Sequence, residues 1–166
     1  CGNHAVVNDP GIPLSTAWFY NSCAGCTNNR ASEASRGSEV NTWAIEQSID
    51  RGYAVATFYS GDIVPDQDSL LSAARAPLGS ADAGAITLWA WGFQRCVDYL
   101  VTDRDLDSKR IAVVGHSRNG KTALLAAAFD ERIALCIPHQ AGCGGTAPSR
   151  GKIGEQIRQI NDRFPH

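Results

Sequence analysis

The segment 110–125, Arg-Ile-Ala-Val-Val-Gly-His-Ser-Arg-Asn-Gly-Lys-Thr-Ala-Leu-Leu, constrains the fold of this chain more than any other stretch. An apolar run ends at Gly115, Ser117 marks a turn, and an alanine-rich helical pattern follows Gly120 and Lys121. That order reads as strand, sharp turn, helix. Two chemistries use this shape. In a nucleophile elbow, a serine at a strained strand-to-helix turn projects its hydroxyl from the top of a parallel sheet, and the helix N-terminus behind it favours developing negative charge. The usual spacing is G-x-S-x-G, whereas Gly115-His116-Ser117-Arg118-Asn119-Gly120 carries one extra residue before the second glycine. In a phosphate loop, G-x-x-x-x-G-K-[ST] wraps a nucleotide phosphate, and Gly115–Thr122 matches that pattern literally. A plain helix entry with no chemistry is the third reading.

The surrounding elements bear on the choice. Ser38–Arg51 has helical periodicity, with Ser38 as N-cap, a stripe of Val40, Trp43, Ala44 and Ile49, and Gly52 as the stop. Tyr53–Tyr59 is a mostly apolar run expected to be a strand buried on both faces. Trp18–Tyr20 is a short apolar patch of strand-like composition, and Gly61–Ser80 reads as a loop rich in Asp, Pro and Ser. Ala83–Leu100 is a long helix, Ile111–Val114 the central strand, Asn119–Phe129 the helix after the serine, Ile133–Pro138 a third strand and Gly154–Phe164 a last helix. Alternating helices and strands imply an α/β fold with a parallel sheet.

A phosphate loop needs an aspartate near the end of a neighbouring strand to hold magnesium. The next strand ends Ile137-Pro138-His139-Gln140 and has none, and Asp62 lies in a loop beyond a glycine. An elbow needs an acid and then a histidine downstream. Downstream of Ser117 stand only His139, in a strand end, and the terminal His166. A general base is therefore expected outside these residues. With no methionine in 166 residues, the chain is expected to be a piece of a longer or processed protein.

A net charge of −2 gives no basis for nucleic-acid or membrane-surface binding, and no apolar run reaches the length of a membrane span. The first residues carry no signal-peptide pattern. Six cysteines occupy positions 1, 23, 26, 96, 136 and 143. Cys23-Ala24-Gly25-Cys26 is a lone C-x-x-C in a Gly/Asn/Ser-rich loop, read as a loop disulfide or as free thiols. Cys96 and Cys136 fall in apolar patterns and are expected in the core.

Gly115-His116-Ser117-Arg118-Asn119-Gly120-Lys121 resembles the G-C/H-S-R-x-G-K elbow of the glucuronoyl esterases, carbohydrate esterase family 15, whose spacing includes the extra residue. Gly2-Asn3-His4, Pro13–Trp18, Glu33–Gly37, Arg51–Tyr59, Gly61-Asp62-Ile63, Ala90-Trp91-Gly92, Asp130-Glu131-Arg132, Gly142–Gly145 and Gly154-Glu155 also resemble bacterial members, in order along nearly the whole chain. The resemblance implies an α/β-hydrolase fold and cleavage of esters of (4-O-methyl-)glucuronic acid on xylan, the target being lignin–carbohydrate ester. It implies Ser117 as nucleophile, Arg118 as oxyanion support, Lys121 and Glu155 as partners of the sugar hydroxyls, and neither metal nor organic cofactor. Secretion or export to the periplasm, and a monomer when complete, go with it. Residues 1–166 are expected to be the central part of one catalytic domain, lacking its N- and C-terminal portions. The chain departs from the family at Gln140, 23 positions after Ser117, where many members carry a glutamate that serves as triad acid. An amide does not ionise, so the acid is expected from a later strand. Without the family's histidine, the 166 residues alone are expected to be inactive. They are also expected to expose apolar surface and to be unstable or prone to aggregation alone. Another α/β-hydrolase esterase of the acetyl xylan type, a nucleotide binder at Gly115–Thr122 and a non-catalytic glycan-binding relative are the alternatives.

Overall fold

The computed structural model describes residues 2–79, 82–148, 150–151 and 154–163. Cys1, His166 and the expected end of the last helix at Phe164 lie outside the described residues. The chain divides into two compact units, Cys1–Gln67 and Asp68–His166.

The first unit is largely irregular. Its helices are short: α1 (Asn3–Val6), α2 (Val40–Trp43) and α3 (Ile45–Asp50), with single 3₁₀ turns at Glu33–Ser35 and Ser60–Asp62. Aromatic packing organises its centre. The fully buried Phe19 stacks on Tyr59, ring centres 4.5 Å apart, and His4 meets Phe19 edge-on at 5.8 Å. The Tyr59 hydroxyl donates to the Trp18 carbonyl at 2.9 Å, and burial holds its ionisation well above the ordinary tyrosine value.

Three expectations fail in this unit. The helix expected over 38–51 is broken, because Ala44 adopts a left-handed conformation (φ 45°, ψ 45°) that ends α2 and starts α3. Its stripe does not bury; Val40, Trp43 and Ile49 are exposed. Gly52 does stop α3, at φ 82°, with Gly52 N–H bonding Ile49 O and Tyr53 N–H bonding Ser48 O, the paired bonds of a Schellman end. Tyr53–Tyr59 is not a strand. A strand needs a ladder partner, and among the described residues the sheet contains two strands, neither of them this run. Its Tyr53 and Val55 face solvent. Trp18–Tyr20 likewise pairs in no sheet.

The second unit carries the regular structure. Helix α4 (Asp68–Arg75) arises within the segment expected to be loop, burying Leu71 and placing Asp68 in its first turn. Helix α5 (Ala85–Leu100) is followed by strand β1 (Ile111–His116), helix α6 (Arg118–Ala128), strand β2 (Ile133–His139) and helix α7 (Ile157–Arg163). β1 and β2 are parallel, with Val113 opposite Cys136 and His116 opposite His139. The core lies where α5 and α6 cover one face of this pair, built from Ala90, Val97, Val113, Ala123, Ala126 and Ile133. Small side chains on α6 let its backbone approach the sheet. The other face bears Val114, Leu135 and Ile137, all exposed. Asp130 closes the α6–β2 connection, accepting from Arg132 Nη2 at 2.6 Å and Nε at 2.8 Å, while Arg132 Nη1 reaches Asp98 at 2.8 Å.

Candidate active site

β1 runs to His116 and α6 begins at Arg118, leaving Ser117 alone between them. Its backbone lies at φ 56°, ψ −120°, a region that L-residues other than glycine rarely occupy. The surrounding backbone holds it there. Ser117 N–H donates to His139 O at 2.9 Å, tying the turn to the end of β2, while Ser117 O accepts from Gly120 N–H at 2.9 Å and Lys121 N–H at 3.1 Å.

The two glycines explain why the helix can turn back so tightly. A Cβ on Gly115 would sit 2.0 Å from Asn119 O, and one on Gly120 would sit 3.0 Å from both Gly115 O and His139 O. Strand and helix touch backbone to backbone, which is the reason for glycine at both positions. A phosphate loop would need an open stretch between strand and helix; here a single residue fills that interval, and Gly120 and Lys121 already belong to α6.

Ser117 and Arg118 are half-buried at the helix start, where the positive end of the helix dipole lies. Lys121, one turn on, is buried, its side chain 5% exposed. Its ammonium meets Glu155 Oε2 at 3.0 Å, and the same oxygen accepts from Cys143 N–H at 3.0 Å. The structure therefore joins two of the sequence-selected residues, Lys121 and Glu155, into an ion pair across 34 positions. Glu155 precedes α7 and is not part of its first turn, as the expected helix start at Gly154 would have made it. The loop Ala141–Gly145 supplies the missed part of the site. Gly142 lies at φ 66°, and a Cβ there would come within 2.5 Å of Glu155 Oε2. The glycine-rich composition of 142–145, a segment that also carries the family resemblance, was the signal for a close approach there.

On the adjacent strand ends, His116 Nε2 and Gln140 Oε1 are 2.9 Å apart, so the ring donates to the amide oxygen, and the His116 and His139 rings lie 5.1 Å apart. Gln140 is held at φ 46°. Among the described residues no histidine hydrogen-bonds the Ser117 hydroxyl.

A serine at a strained strand-to-helix junction, at the C-terminal end of a parallel strand, defines the class: the α/β-hydrolase fold. Comparison with known proteins narrows this. A family profile described as glucuronyl esterase of fungi matches residues 31–163, and the chain belongs to the glucuronoyl esterase family. It is 44% identical over 99% of its length to a carbohydrate esterase from an unknown prokaryotic organism, spanning 40% of that relative. It is 36% identical over 72% of its length to a 4-O-methyl-glucuronoyl methylesterase of Podospora anserina, spanning 27% of it. Among solved structures, a promiscuous esterase of carbohydrate esterase family 15 from a marine bacterial metagenome superimposes with a TM-score of 0.87 at 44% identity, covering 99% of this chain and 44% of that one. A glucuronoyl esterase from Solibacter usitatus superimposes with a TM-score of 0.85 at 39% identity, covering 100% and 44%. The chain thus spans less than half the length of these relatives.

Proposed function

We propose that this chain is the central part of a single catalytic domain of a serine esterase that cleaves esters of (4-O-methyl-)glucuronic acid in glucuronoxylan and lignin–carbohydrate material. The observation that carries the proposal is the strained backbone of Ser117 between Gly115, which admits no Cβ, and Gly120, where a Cβ would be tight against two carbonyl oxygens. Ser117 attacks the ester carbonyl. A guanidinium at Arg118, with the N-terminus of α6, stabilises the oxyanion. Lys121 and Glu155 receive the sugar: the ion pair orients both groups, and the carboxylate, 45% exposed on its side chain, retains lone pairs for a hydroxyl donor. The base and the triad acid come from outside these residues, since Gln140 is a neutral amide committed to His116. The 166 residues alone are then inactive. A polymeric substrate places the protein outside the cytoplasm, secreted or periplasmic, and no partner subunit is needed.

The test uses the full reading frame that contains this chain. Hydrolysis of a benzyl or methyl glucuronate ester is measured beside an acetyl ester. Uronate cleavage is expected, with kcat lowered by about three orders of magnitude or more in Ser117→Ala. Cleavage of the acetyl ester alone favours the acetyl xylan reading, and cleavage of neither by a folded protein rejects the catalytic one.

A further inference from the structure

The C-x-x-C of the first unit plays no part in the ester chemistry, yet it is built into a defined turn. Cys26 N–H donates to Cys23 O at 3.1 Å, closing a four-residue turn with Gly25 at its third position and φ 70°. A turn of this kind brings its end Cα atoms within about 7 Å, overlapping the roughly 4.4–6.8 Å that a disulfide spans. The turn is clamped from outside. Ser32 Oγ donates to Gly25 O at 2.6 Å, and a Cβ on Gly25 would lie 2.3 Å from the Ala34 carbonyl carbon and the Ser35 nitrogen. Ser35 is fully buried. Little backbone movement therefore separates the reduced turn from a bridged one, and both cysteine residues are half-exposed.

We propose that Cys23 and Cys26 are a disulfide-forming site, closed by exchange with a small-molecule disulfide of the glutathione type. One cysteine thiolate attacks the reagent, forming a mixed disulfide and expelling one glutathione thiolate. The second cysteine thiolate attacks the protein sulfur of that mixed disulfide and expels the other. The protein dithiol is oxidised, glutathione disulfide is reduced to two glutathione thiols, and the two cysteine protons end on those thiols. Burial and the neighbouring Cys23 sulfur hold the Cys26 thiol above its ordinary value. Closure is thus faster at higher pH, where more thiolate forms. The bridge pins the 21–29 segment, which returns to the aromatic centre through Phe19 N–H to Asn29 O at 3.1 Å and Asn29 Nδ2 to Phe19 O at 2.7 Å.

The experiment treats the protein expressed from the full reading frame that contains this chain, under native conditions, with oxidised glutathione, then blocks remaining thiols with N-ethylmaleimide and maps chymotryptic peptides by mass. The expected result is a peptide containing Cys23 and Cys26 that carries no label and has lost two hydrogens, and a thermal midpoint that rises by several degrees on oxidation and returns with dithiothreitol. Cys23→Ser is expected to leave a stable glutathione adduct on Cys26. Two labels or two adducts on the wild-type peptide, or a bridge from either residue to Cys1, would overturn the proposal.

Discussion

Gly115, Gly120 and Ser117 show how single residues set the geometry of the candidate site. Gly115→Ala drives a methyl into Asn119 O, and backbone cannot yield as a flexible side chain would. We expect a loss of about 1–3 kcal/mol or more in urea unfolding, with a disturbed elbow. Gly142→Ala is the matching perturbation at the ion pair: it places Cβ against Glu155 Oε2, in a left-handed backbone position. In the full enzyme it should raise KM for the uronate ester more than it lowers kcat, because it displaces Glu155 and leaves Ser117 in place. A fall in kcat alone would remove Glu155 from sugar binding. The elbow was legible in the sequence because glycine spacing around a serine reports a steric requirement directly. The Lys121–Glu155 pair was not legible from spacing, since its halves stand 34 positions apart across helix, strand and loop; the resemblance singled out the two residues but not their pairing.

At the scale of elements, apolar patterning located α5, β1, α6 and β2 to within a few residues, because each contributes apolar side chains to one core. It failed at 38–51. The apolar stripe there is real in the sequence, but helix needs continuous right-handed dihedrals, and Ala44 leaves that region. A left-handed alanine costs about 1–2 kcal/mol. Ala44→Gly should therefore stabilise the first unit by about 1 kcal/mol, measured as a higher urea midpoint at unchanged slope. A destabilised variant would mean that this residue's side chain holds the α2–α3 junction.

At the scale of the whole molecule, burial decides pH behaviour and solubility. His4 is fully buried with neither ring nitrogen hydrogen-bonded. Desolvation, and then the Arg36 charge, hold its pKa below 6.5, against opposing contributions from Asp62 and Glu33. The unfolded chain thus binds a proton that the folded chain resists. The folded state carries no penalty above the ordinary histidine pKa of 6.5, and loses stability as pH falls below it toward the folded value. His4→Phe should flatten that slope in thermal melts between about pH 7 and 5; an unchanged slope would exclude His4 as its source. Asp130 acts lower: its bonds to Arg132 hold its pKa below the usual carboxylate range, so its contribution is present above that range and is lost in acid. The open face of the sheet, with Leu135 55% and Val114 54% exposed, should bind a hydrophobic dye. Leu135→Thr with Ile137→Thr should reduce that binding without lowering the melting midpoint.

The sequence by itself determined the strand–serine–helix junction, the order of the elements from α5 onward and the family, because those depend on local sterics, short-range periodicity and matching motifs. The tertiary structure decided which apolar segments are buried. Tyr53–Tyr59 has strand composition, but a strand exists only with a neighbour to take its backbone hydrogen bonds. It also decided that Glu155 turns to Lys121 and that Gln140 turns to His116. Side-chain pairing over long chain separations is a property of packing, and no local pattern encodes it.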